Sequence, residues 1–527
     1  MPRGEPFELN VPTGGVRYDI LPHKVPQGSL SDSLNVVTKH GALVPRPGLT
    51  DLFSSTFGEQ VVGGIYYKLA AGTQKTVAMG LTTWKVANFG TSAWDSLNGT
   101  ALSGSADDQG RFIIWPEGGT VYVLGVNNVN GPKEWDGAAA THSALTGLSQ
   151  WTTAKDWTVV NNRIVVGNTV EGGVRYPYRL RFSDFNTRST WQSVNLIDMV
   201  DTNDDIVAVR ALNRTSFAIL KEQSQWIGVG QGGVFPFRIE LQDTQPGPCS
   251  PSSVIERFGI VYYMGVDGSF YSFDGTRTTH IGEPIRKKIQ ANLNSSTTSR
   301  VHGFYRQADR SLYWFYPTTA NNPTEAVSYQ IDTQQWFHHS MATGVEVTAS
   351  WPFRLVSALS WDALPVGWTW DTISADYPTW DSFLSASAQE ELVGSTAQIY
   401  RVTDTGNDDG AAISATWDLW RPYEPGKRAR ADALETFFKQ TDSAVTATVK
   451  IGTTDSLATD PSYPAELTTT LDISTTSRHI LDTATATTGT GTGTPEAQFI
   501  ATQHAVSATI PWEWRGSTLY TTPQEVS

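Results

Sequence analysis

VHGFY at residues 301–305 is followed by LYWFY at 312–316 and AVSYQ at 326–330, and this unit closes at QW, residues 335–336. Each stretch is short and rich in β-branched and aromatic residues, and polar turn residues separate one stretch from the next. Short strands joined by tight turns are typical of antiparallel sheets. A closing tryptophan suits a strand end, where the indole covers a hydrophobic layer. The unit therefore predicts one small antiparallel sheet.

Similar units occur throughout residues 60–345, and their spacing suggests a repeat. The positions at which they close lie 35 to 62 residues apart, at 94, 135, 191, 226, 274 and 336. Four-stranded propeller blades typically repeat every ~40–50 residues. The sequence therefore predicts an all-β fold with a β-propeller of about six blades, with insertions, over residues 51–385.

The motif Trp-Asp, followed by any residue and then a large apolar one, occurs five times, beginning at residues 94, 361, 370, 380 and 417. The indole suits the end of a hydrophobic layer, and the short carboxylate can accept hydrogen bonds from turn amides. The first copy falls at a predicted blade end, whereas the crowded copies indicate an aromatic seam between domains. We predict packing roles, as structural anchors, for Trp94, Asp95, Trp135, Trp191, Trp226, Trp336, Trp361, Trp370 and Trp380.

Two further regions flank the predicted propeller. Residues 1–50 contain scattered Pro and Gly and indicate an extended N-terminal segment with the first hairpin. Residues 386–527 have longer alternating patterns and are rich in Thr and Ala, which predicts a second, C-terminal all-β domain resembling a β-sandwich. The chain thus divides into three parts on sequence alone.

One segment follows helical periodicity instead. Ile285, Ile289 and Leu293 share one face at a spacing of four residues, and a proline at 284 suits the first turn. The polar side carries three consecutive cations, Arg286, Lys287 and Lys288. These form either a solvated face or a contact with a partner subunit or nucleic acid.

Composition restricts the function. The chain has 527 residues, and its 38 basic and 52 acidic residues leave a net charge of −14, which argues against tight nucleic-acid binding by the whole chain. Cys249 is the single cysteine, so an intrachain disulfide is excluded and a reducing compartment fits best. No apolar run approaches the ~18 residues needed to span a bilayer, and the first residues lack the core of a secretion signal. We expect a soluble protein.

An enzymatic role on a propeller would require specific residues. Asp184 and Trp191 lie in a stretch reminiscent of the structural Asp-box of sialidases, although the glycine is missing and the turn is too long. Glycoside hydrolysis needs two carboxylates on either side of a cleft, and no pair stands out among the 52 acids. A structural turn is the favoured interpretation of this stretch.

Metal and nucleophile candidates also have ordinary explanations. Residues 404–410 are rich in oxygen ligands, but position twelve of an EF-hand loop would be Ala415, so a tight turn is favoured. His338 and His339 are adjacent in a strand and point to opposite faces, which disfavours shared chelation. Cys249 has no neighbouring base in sequence. We therefore predict neither an enzyme nor a bound cofactor or metal.

Several stretches together resemble the tail nozzle proteins of short-tailed bacteriophages. The N-terminal part reads Leu34-Asn35-Val36, then Gly41, then Arg46-Pro47-Gly48-Leu49, which is similar to that family's Asn-Val, Gly and Arg-Pro-Gly pattern. Two further features lie in the same order as in the family. The first begins at Ile206-Val207-Ala208-Val209 and ends at Ile281-Gly282. The second begins at Tyr313-Trp314-Phe315-Tyr316-Pro317 and ends at Gln335-Trp336.

This resemblance implies a structural virion protein without catalysis. It would form a homohexameric ring around a channel for ejection of double-stranded DNA, dock to a tail adaptor ring, and contact fibres or spikes. It would be located in the virion tail and assembled in the host cytoplasm. Two alternatives stay open: a propeller that binds glycans or hydrolyses them in the manner of a sialidase, and a generic propeller scaffold for protein partners.

Overall fold

The computed structural model describes residues 5–69, 72–97, 99–232, 235–354, 389–420, 428–454, 468–482, 496–497 and 499–524. These residues form β-strands, one α-helix and three short 3₁₀ turns, so the all-β prediction is confirmed. Trp361, Trp370 and Trp380 lie outside the described residues, as does the aromatic seam predicted there.

Five strands come from the N-terminal segment: β1 (Glu5–Leu9), β2 (Asp32–Leu34), β3 (Val36–Lys39), β4 (Ala42–Pro45) and β5 (Gly48–Asp51). A 3₁₀ turn (Pro22–Lys24) lies between the first two. The predicted hairpin is present as β3 and β4. Its two-residue loop, His40-Gly41, has φ angles of 51° and 75°, as a type I′ turn requires.

Six separate four-stranded antiparallel sheets follow, at the places where six units were predicted. Within each sheet the strands pair in chain order. The first three sheets contain β6 (Val61–Lys68), β7 (Gln74–Gly80), β8 (Trp84–Asn88) and β9 (Ala93–Leu97); β10 (Arg111–Glu117), β11 (Thr120–Val126), β12 (Lys133–Trp135) and β13 (Ser143–Ala144); and β14 (Thr153–Val160), β15 (Arg163–Glu171), β16 (Val174–Phe182) and β17 (Leu196–Asp198).

The fourth, fifth and sixth sheets contain β18 (Ile206–Ala211), β19 (Ser216–Lys221), β20 (Gln225–Gly230) and β21 (Phe237–Asp243); β22 (Ile255–Arg257), β23 (Ile260–Met264), β24 (Phe270–Phe273) and β25 (Thr278–His280); and β26 (His302–Arg306), β27 (Ser311–Pro317), β28 (Pro323–Gln330) and β29 (Gln335–Ser340). The predicted helix is confirmed as α1 (Glu283–Asn292), between the fifth and sixth sheets, with Ile285 and Ile289 fully buried. The other 3₁₀ turns are Pro251–Ser253 and Ser295–Arg300.

Twelve more strands occur among the described residues after the sixth sheet: β30 (Ala349–Arg354), β31 (Gln389–Gly394), β32 (Ile399–Thr403), β33 (Asn407–Asp408), β34 (Ala411–Trp420), β35 (Arg428–Phe438), β36 (Thr446–Thr454), β37 (Thr468–Asp472), β38 (Arg478–Asp482), β39 (Glu496–Ala497), β40 (Phe499–Ala508) and β41 (Trp514–Gln524). A ten-stranded sheet has the order β30-β31-β32-β5-β33-β34-β40-β36-β37, with β2 beside β34. A seven-stranded sheet has the order β3-β4-β41-β35-β38, with β1 beside β41 and β39 beside β35.

The N-terminal strands are therefore built into the C-terminal sheets. Strand β5 pairs with β32, and together with β30 and β31 these form a seventh group of four neighbouring strands. The sequence pattern does not predict this group, because one of its strands comes from the other end of the chain. The predicted boundary near residue 50 falls within β5, a strand of the ten-stranded sheet, whereas residue 385 lies outside the described residues. The division into three domains stays a prediction.

The first strands of neighbouring four-stranded groups contact one another in sequence. Strand β6 contacts β10, β10 contacts β14, and β14 contacts β18. The turn at Pro251–Ser253 contacts both β18 and β26. Strand β26 also contacts β22 and β30, and β30 contacts β6. Contacts thus lead from the first sheet through the later ones and back to the first.

The largest hydrophobic core joins the N-terminal segment, the fifth and sixth sheets and the C-terminal strands. Its C-terminal part contains Trp417 of β34, the fifth Trp-Asp copy, whose ring is fully buried and stacks on His504 and Trp512 at centroid distances of 5.2 and 5.3 Å. Trp514 of β41 meets the same ring at 5.5 Å. Side chains from the ten-stranded and seven-stranded sheets therefore share one core.

Candidate functional site

The most extensively paired polar group in the N-terminal segment is a cluster that we call the clasp: Asn35, Arg46, Ser340 and Asp408. Asn35 lies between β2 and β3 with a φ of 59°, a conformation that asparagine tolerates better than most residues. Its Oδ1 accepts hydrogen bonds from Arg46 Nε at 3.0 Å and from the Ser340 backbone at 2.8 Å. Its Nδ2 donates to the Ser414 carbonyl at 2.8 Å. One side chain thus bridges three segments.

Arg46 is the charged centre of the clasp, and only 3% of its side chain is exposed. Its Nη1 donates to Asp408 Oδ1 at 2.9 Å, and its Nη2 donates to the other carboxylate oxygen and to the Ser340 carbonyl, the latter at 2.8 Å. This forked ion pair is the strongest kind of protein hydrogen bonding. The clasp holds the N-terminal segment against both the sixth sheet and the C-terminal strands.

Position 48, two residues after Arg46, requires a glycine because the backbone of Asn407 lies very close to it. A Cβ atom at this position would lie 2.0 Å from the Asn407 carbonyl oxygen. Asn35, Gly41, Arg46 and Gly48 of the N-terminal resemblance therefore each have a role in holding the fold. These motif residues hold the N-terminal segment against Ser340 and the stretch from Asn407 to Ser414.

A second buried charge cluster lies next to the clasp, around Arg306. Its guanidinium contacts Asp309 at 3.1 Å, Asp404 at 2.9 Å and Glu391 at 3.8 Å. Three carboxylates therefore share one arginine, with Lys39 also paired to Asp404. Burial raises the pKa of Glu391 to about 8 in spite of the nearby guanidinium. Glu391, which makes the longest of the three contacts with Arg306, is therefore protonated at pH ~7.

We expect Glu391 to make the folded chain less stable as the pH rises. Between pH 4.5, the ordinary pKa of a glutamate, and pH of about 8, the Glu391 carboxyl is protonated in the folded chain and ionised in the unfolded chain. Stability should therefore fall through this window, at a rate on the order of 1 kcal/mol per pH unit. Urea unfolding of the natural chain and of Glu391→Gln between pH ~5 and ~8.5 tests this, because the variant should lack that slope. Parallel pH dependences would contradict the assignment.

A cavity of about 370 Å³ lies where the first strands of the four-stranded groups converge. Glycines allow this convergence: a Cβ on Gly63 would lie 2.3 Å from the Gly110 carbonyl oxygen, and one on Gly64 would lie 2.3 Å from the Trp351 ring. Backbones and a flat indole therefore approach more closely than larger residues would permit. The volume falls in the range of small-molecule sites.

The cavity lining is cationic. Arg111 and Arg210 both bind Asp156, a fully buried carboxylate on β14, the first of them at 3.1 Å. Arg257 also lines the cavity, and Glu256 is the one carboxylate among the described lining residues. When Asp156 is counted with Glu256, the three arginines and two carboxylates in and beside the lining have a net charge of one positive unit. This charge is opposite in sign to the net charge of the whole chain.

Several polar atoms of the lining residues are buried away from the cavity space and have no hydrogen-bond partner among the described residues. They are Arg257 Nε, His302 Nε2, Ser350 Oγ and Trp351 Nε1. The Nδ1 atom of His302 lies 3.1 Å from the Arg300 carbonyl, and burial lowers the pKa of this histidine to about 4. The ring is therefore neutral at pH ~7 with its proton on Nδ1, so Nε2 is an acceptor.

Among the predicted anchors, Trp94 and Trp336 lie in the last strands of their sheets, whereas Trp135 and Trp226 lie in third strands and Trp191 lies in the loop before β17. The predicted closing positions 135, 191 and 226 therefore precede the last strand of their sheets. Trp135, Trp191, Trp226 and Trp336 are buried, and the indole nitrogen of each donates a hydrogen bond. The acceptors are, in the same order, the Ala139 carbonyl, the Arg188 carbonyl, Ser224 Oγ and the Ile281 carbonyl. Trp94 is half-buried against Phe53 and Phe57. Asp95 is exposed and accepts from Asn88.

The three cations of α1 separate into different environments. Arg286 and Lys287 are exposed, and Arg286 lies 3.8 Å from Glu283. Lys288 turns back to the N-terminal segment, with its ammonium 5.4 Å from the centre of the Tyr18 ring. Two of the three therefore face solvent and are available to a partner.

The remaining candidates have structural partners. Asp184 accepts hydrogen bonds from Gln192 and Asn195 within its own turn. His338 contacts Glu325 at 2.9 Å and His339 contacts Ser328 at 2.8 Å. Asp404 and Asp408 are ion-paired as described above, and burial raises the pKa of the Cys249 thiol to about 12. Within the described ranges, no group of three or more metal-ligating side chains occurs.

Sequence reasoning did not single out the cavity residues. Arg257, His302 and Ser350 come from three different sheets and have no common sequence pattern. Among the described residues, no helix is long and apolar enough to cross a membrane.

Comparisons with known proteins do not assign the chain to a family. No protein-family model matches it, and no curated protein does.

Proposed function

We propose that the four-stranded groups are the blades of one closed β-propeller with seven blades. The successive contacts from β6 to β30 and back to β6 support this closure. Strand β5 would complete the last blade from the N-terminal side, which joins both ends of the repeat. The two C-terminal sheets would form a sandwich across the shared core around Trp417 and Trp514.

We further propose that the chain is a structural protein of a bacteriophage virion, the nozzle of a short tail. The observation that carries this proposal is the clasp, because the residues of the N-terminal resemblance are buried and join distant parts of the chain. A protein that must keep its shape under mechanical load during DNA ejection benefits from such long-range connections. The resemblance supplies the functional class, and the clasp gives its motif a physical purpose.

The route of double-stranded DNA would lie between subunits of a hexameric ring. The cavity of about 370 Å³ within one chain has the volume of a small-molecule site and not of a duplex channel. A net charge of −14 for each copy would make the ring strongly acidic and would keep phosphates from binding along the path. A lumen lined by arginine and lysine would contradict this part of the proposal.

The partners would be further copies of the chain, the tail adaptor ring, and fibre or spike proteins, with assembly in the host cytoplasm. Arg286 and Lys287 are exposed on α1 and are our candidates for one of these contacts. The alternative of a sialidase-like hydrolase gains little from the cavity, because its described lining has one carboxylate, Glu256, which accepts a hydrogen bond from the Gly259 backbone.

Mass measurement and imaging of the purified full chain test the nozzle proposal. We expect native mass spectrometry to detect a ring of about six copies, as closed cyclic assemblies predict. Cryo-electron microscopy of the same sample should show a central channel between subunits with an acidic wall. A monomer that hydrolyses glycans would overturn the proposal and favour the alternative.

A further inference from the structure

Four phenylalanines are exposed among the described residues, and all of them lie in turns after the first or third strand of a four-stranded sheet. They are Phe89 after β8, Phe185 after β16, Phe235 after β20 and Phe258 after β22. When strands pair antiparallel in chain order, the turns after the first and third strands lie on the same side of the sheet. Phe89 also packs against two buried phenylalanines. The other three rings are 59%, 76% and 60% exposed.

These three rings lie on the third, fourth and fifth sheets, which point the same way. The Val209 backbone nitrogen donates to Asp156 Oδ2 at 2.8 Å, and the Ala211 backbone nitrogen donates to Thr158 Oγ1 at 3.1 Å. The first strands of the third and fourth sheets, β14 and β18, therefore run side by side in the same direction. Their following turns are neighbours as well, because the Asn161 backbone nitrogen donates to the Arg214 carbonyl at 2.8 Å.

Further backbone contacts connect the turns that carry the rings. The Asn186 nitrogen, next to Phe185, donates to the Asn162 carbonyl at 2.8 Å, and the Gly230 nitrogen donates to the Thr215 carbonyl at 2.6 Å. A Cβ on Gly259, next to Phe258, would lie 3.8 Å from the Leu212 carbonyl oxygen. The turns after the first and third strands of these three sheets thus form one continuous surface, which we call the aromatic face.

The turns on the opposite side differ in chemistry. In the described part of the six sheets, the exposed large apolar residues in or beside the turns after second strands are Val129, Val174 and Val266. Single exposed valines are ordinary features of a protein surface. Aromatic rings offer a larger apolar area, and here they are confined to one side.

Phe258 shows that local structure does not account for these rings. It is the first residue of the two-residue turn between β22 and β23, and its φ is 56°. Asn-Gly is a favoured sequence for such a turn, and a bulky residue at positive φ is an outlier. Strained residues of this kind cluster where a protein makes functional contacts.

The aromatic face is also cationic. Its turns, each counted with one residue on either side, contain the charged residues Arg163, Arg188, Arg214, Arg257, Arg277, Asp184 and Asp274. Arg188 is bound to Glu117 and Glu134 of the second sheet, which leaves four arginines against two aspartates. The chain as a whole has a charge of −14, but salt screens acids that lie farther away than a Debye length of ~8 Å.

We propose that the aromatic face binds the surface of a phospholipid bilayer that contains anionic lipids. The rings of Phe185, Phe235 and Phe258 would enter the boundary between headgroups and acyl chains, and the arginines would pair with lipid phosphates. A fluid bilayer accepts separate side chains, whereas a protein partner would need a matching pocket for each of three rings on three sheets. The proposal goes beyond the nozzle function and depends neither on ring assembly nor on closure of the propeller.

Co-sedimentation of the full chain with lipid vesicles tests the proposal. We expect vesicles of phosphatidylcholine and phosphatidylglycerol to sediment the chain, and vesicles of phosphatidylcholine alone to bind it several fold more weakly. The combined variant Phe185→Ser, Phe235→Ser and Phe258→Asn should bind the mixed vesicles at least about tenfold more weakly, because it removes the apolar area that enters the bilayer. Its melting temperature should stay close to that of the natural chain, since the three rings are exposed.

The matched control is the combined variant Val129→Ser, Val174→Ser and Val266→Ser, which changes three exposed apolar residues on the opposite side. Its vesicle binding should stay within about twofold of the natural value. An environment-sensitive dye attached to Phe235→Cys should shift its emission to the blue on addition of vesicles, and the same dye on Val266→Cys should not. The natural chain, treated with the dye in parallel, shows how much label Cys249 takes up.

The proposal is overturned if the mixed vesicles sediment no more of the chain than sediments without them. Natural binding by the phenylalanine variant, or an equal loss in the valine variant, would also overturn it. Native mass spectrometry without lipid addresses the competing occupant, a second copy of the chain. If replacing the rings dissociates an oligomer and vesicles bind neither protein, the aromatic face is a contact between subunits and the lipid proposal is wrong.

Discussion

Replacing Arg46 by alanine is expected to destabilise the folded chain by about 3–5 kcal/mol. The substitution leaves the Asp408 carboxylate, which is 1% exposed, without its cation. It also removes the donor that pairs with Asn35 Oδ1 and the Ser340 carbonyl. Urea unfolding monitored by tryptophan fluorescence measures the loss as a lower midpoint.

Arg238→Ala is the matched control for this prediction, because that arginine also pairs with a carboxylate but is 67% exposed. Exposed pairs contribute little, so its effect should stay within about 1 kcal/mol. The double variant Arg46→Met with Asp408→Leu should lose less than the sum of its parts, since no unpaired charge stays buried. Equal effects of Arg46→Ala and Arg238→Ala would refute the role of the clasp.

Trp336→Ala is expected to cost about 3–5 kcal/mol, the usual range for removing a buried tryptophan. Its ring is 1% exposed and packs against Tyr329 at 4.7 Å and Phe270 at 4.8 Å. Its indole nitrogen also donates to the Ile281 carbonyl at 3.0 Å, which connects the sixth sheet to the segment before α1. Thermal unfolding followed by circular dichroism should show a clear decrease in melting temperature.

Trp94→Ala provides the comparison within the same set of predicted anchors. Trp94 is half-buried and packs on Phe53 and Phe57, so removal of its ring should cost less than about 2 kcal/mol. If Trp94→Ala proved as damaging as Trp336→Ala, burial would not explain the difference between anchors. The two variants therefore test whether an anchor's contribution follows its burial.

Local pattern was sufficient to predict most strands and the helix. Units such as Ile206–Ala211 and Ser216–Lys221 are short apolar runs between turns, and neighbouring runs in the sequence pair with each other. The helix at 283–292 follows from four-residue spacing and a proline in its first turn. These features depend on interactions within about 15 residues, which is the range over which sequence periodicity carries information.

Long-range pairing was not predictable in this way. Strand β5 lies beside β32, about 350 residues later in the chain, and nothing in either stretch specifies the partner. The clasp shows the same limit, because the resemblance singled out Asn35 and Arg46 but not Ser340 or Asp408. Arg257, His302 and Ser350 likewise line one cavity only because the sheets bring their first strands together.

The sequence by itself determined the all-β class, the six repeated sheets and the acidic character of this protein, because strand propensity, turn chemistry and net charge are local or additive properties. Only the tertiary structure decided that the two ends of the chain share sheets, which charges are buried together, and that a cationic cavity lies inside an acidic protein. Those outcomes depend on which distant surfaces exclude water from each other, and burial then decides which pairs of charges interact strongly.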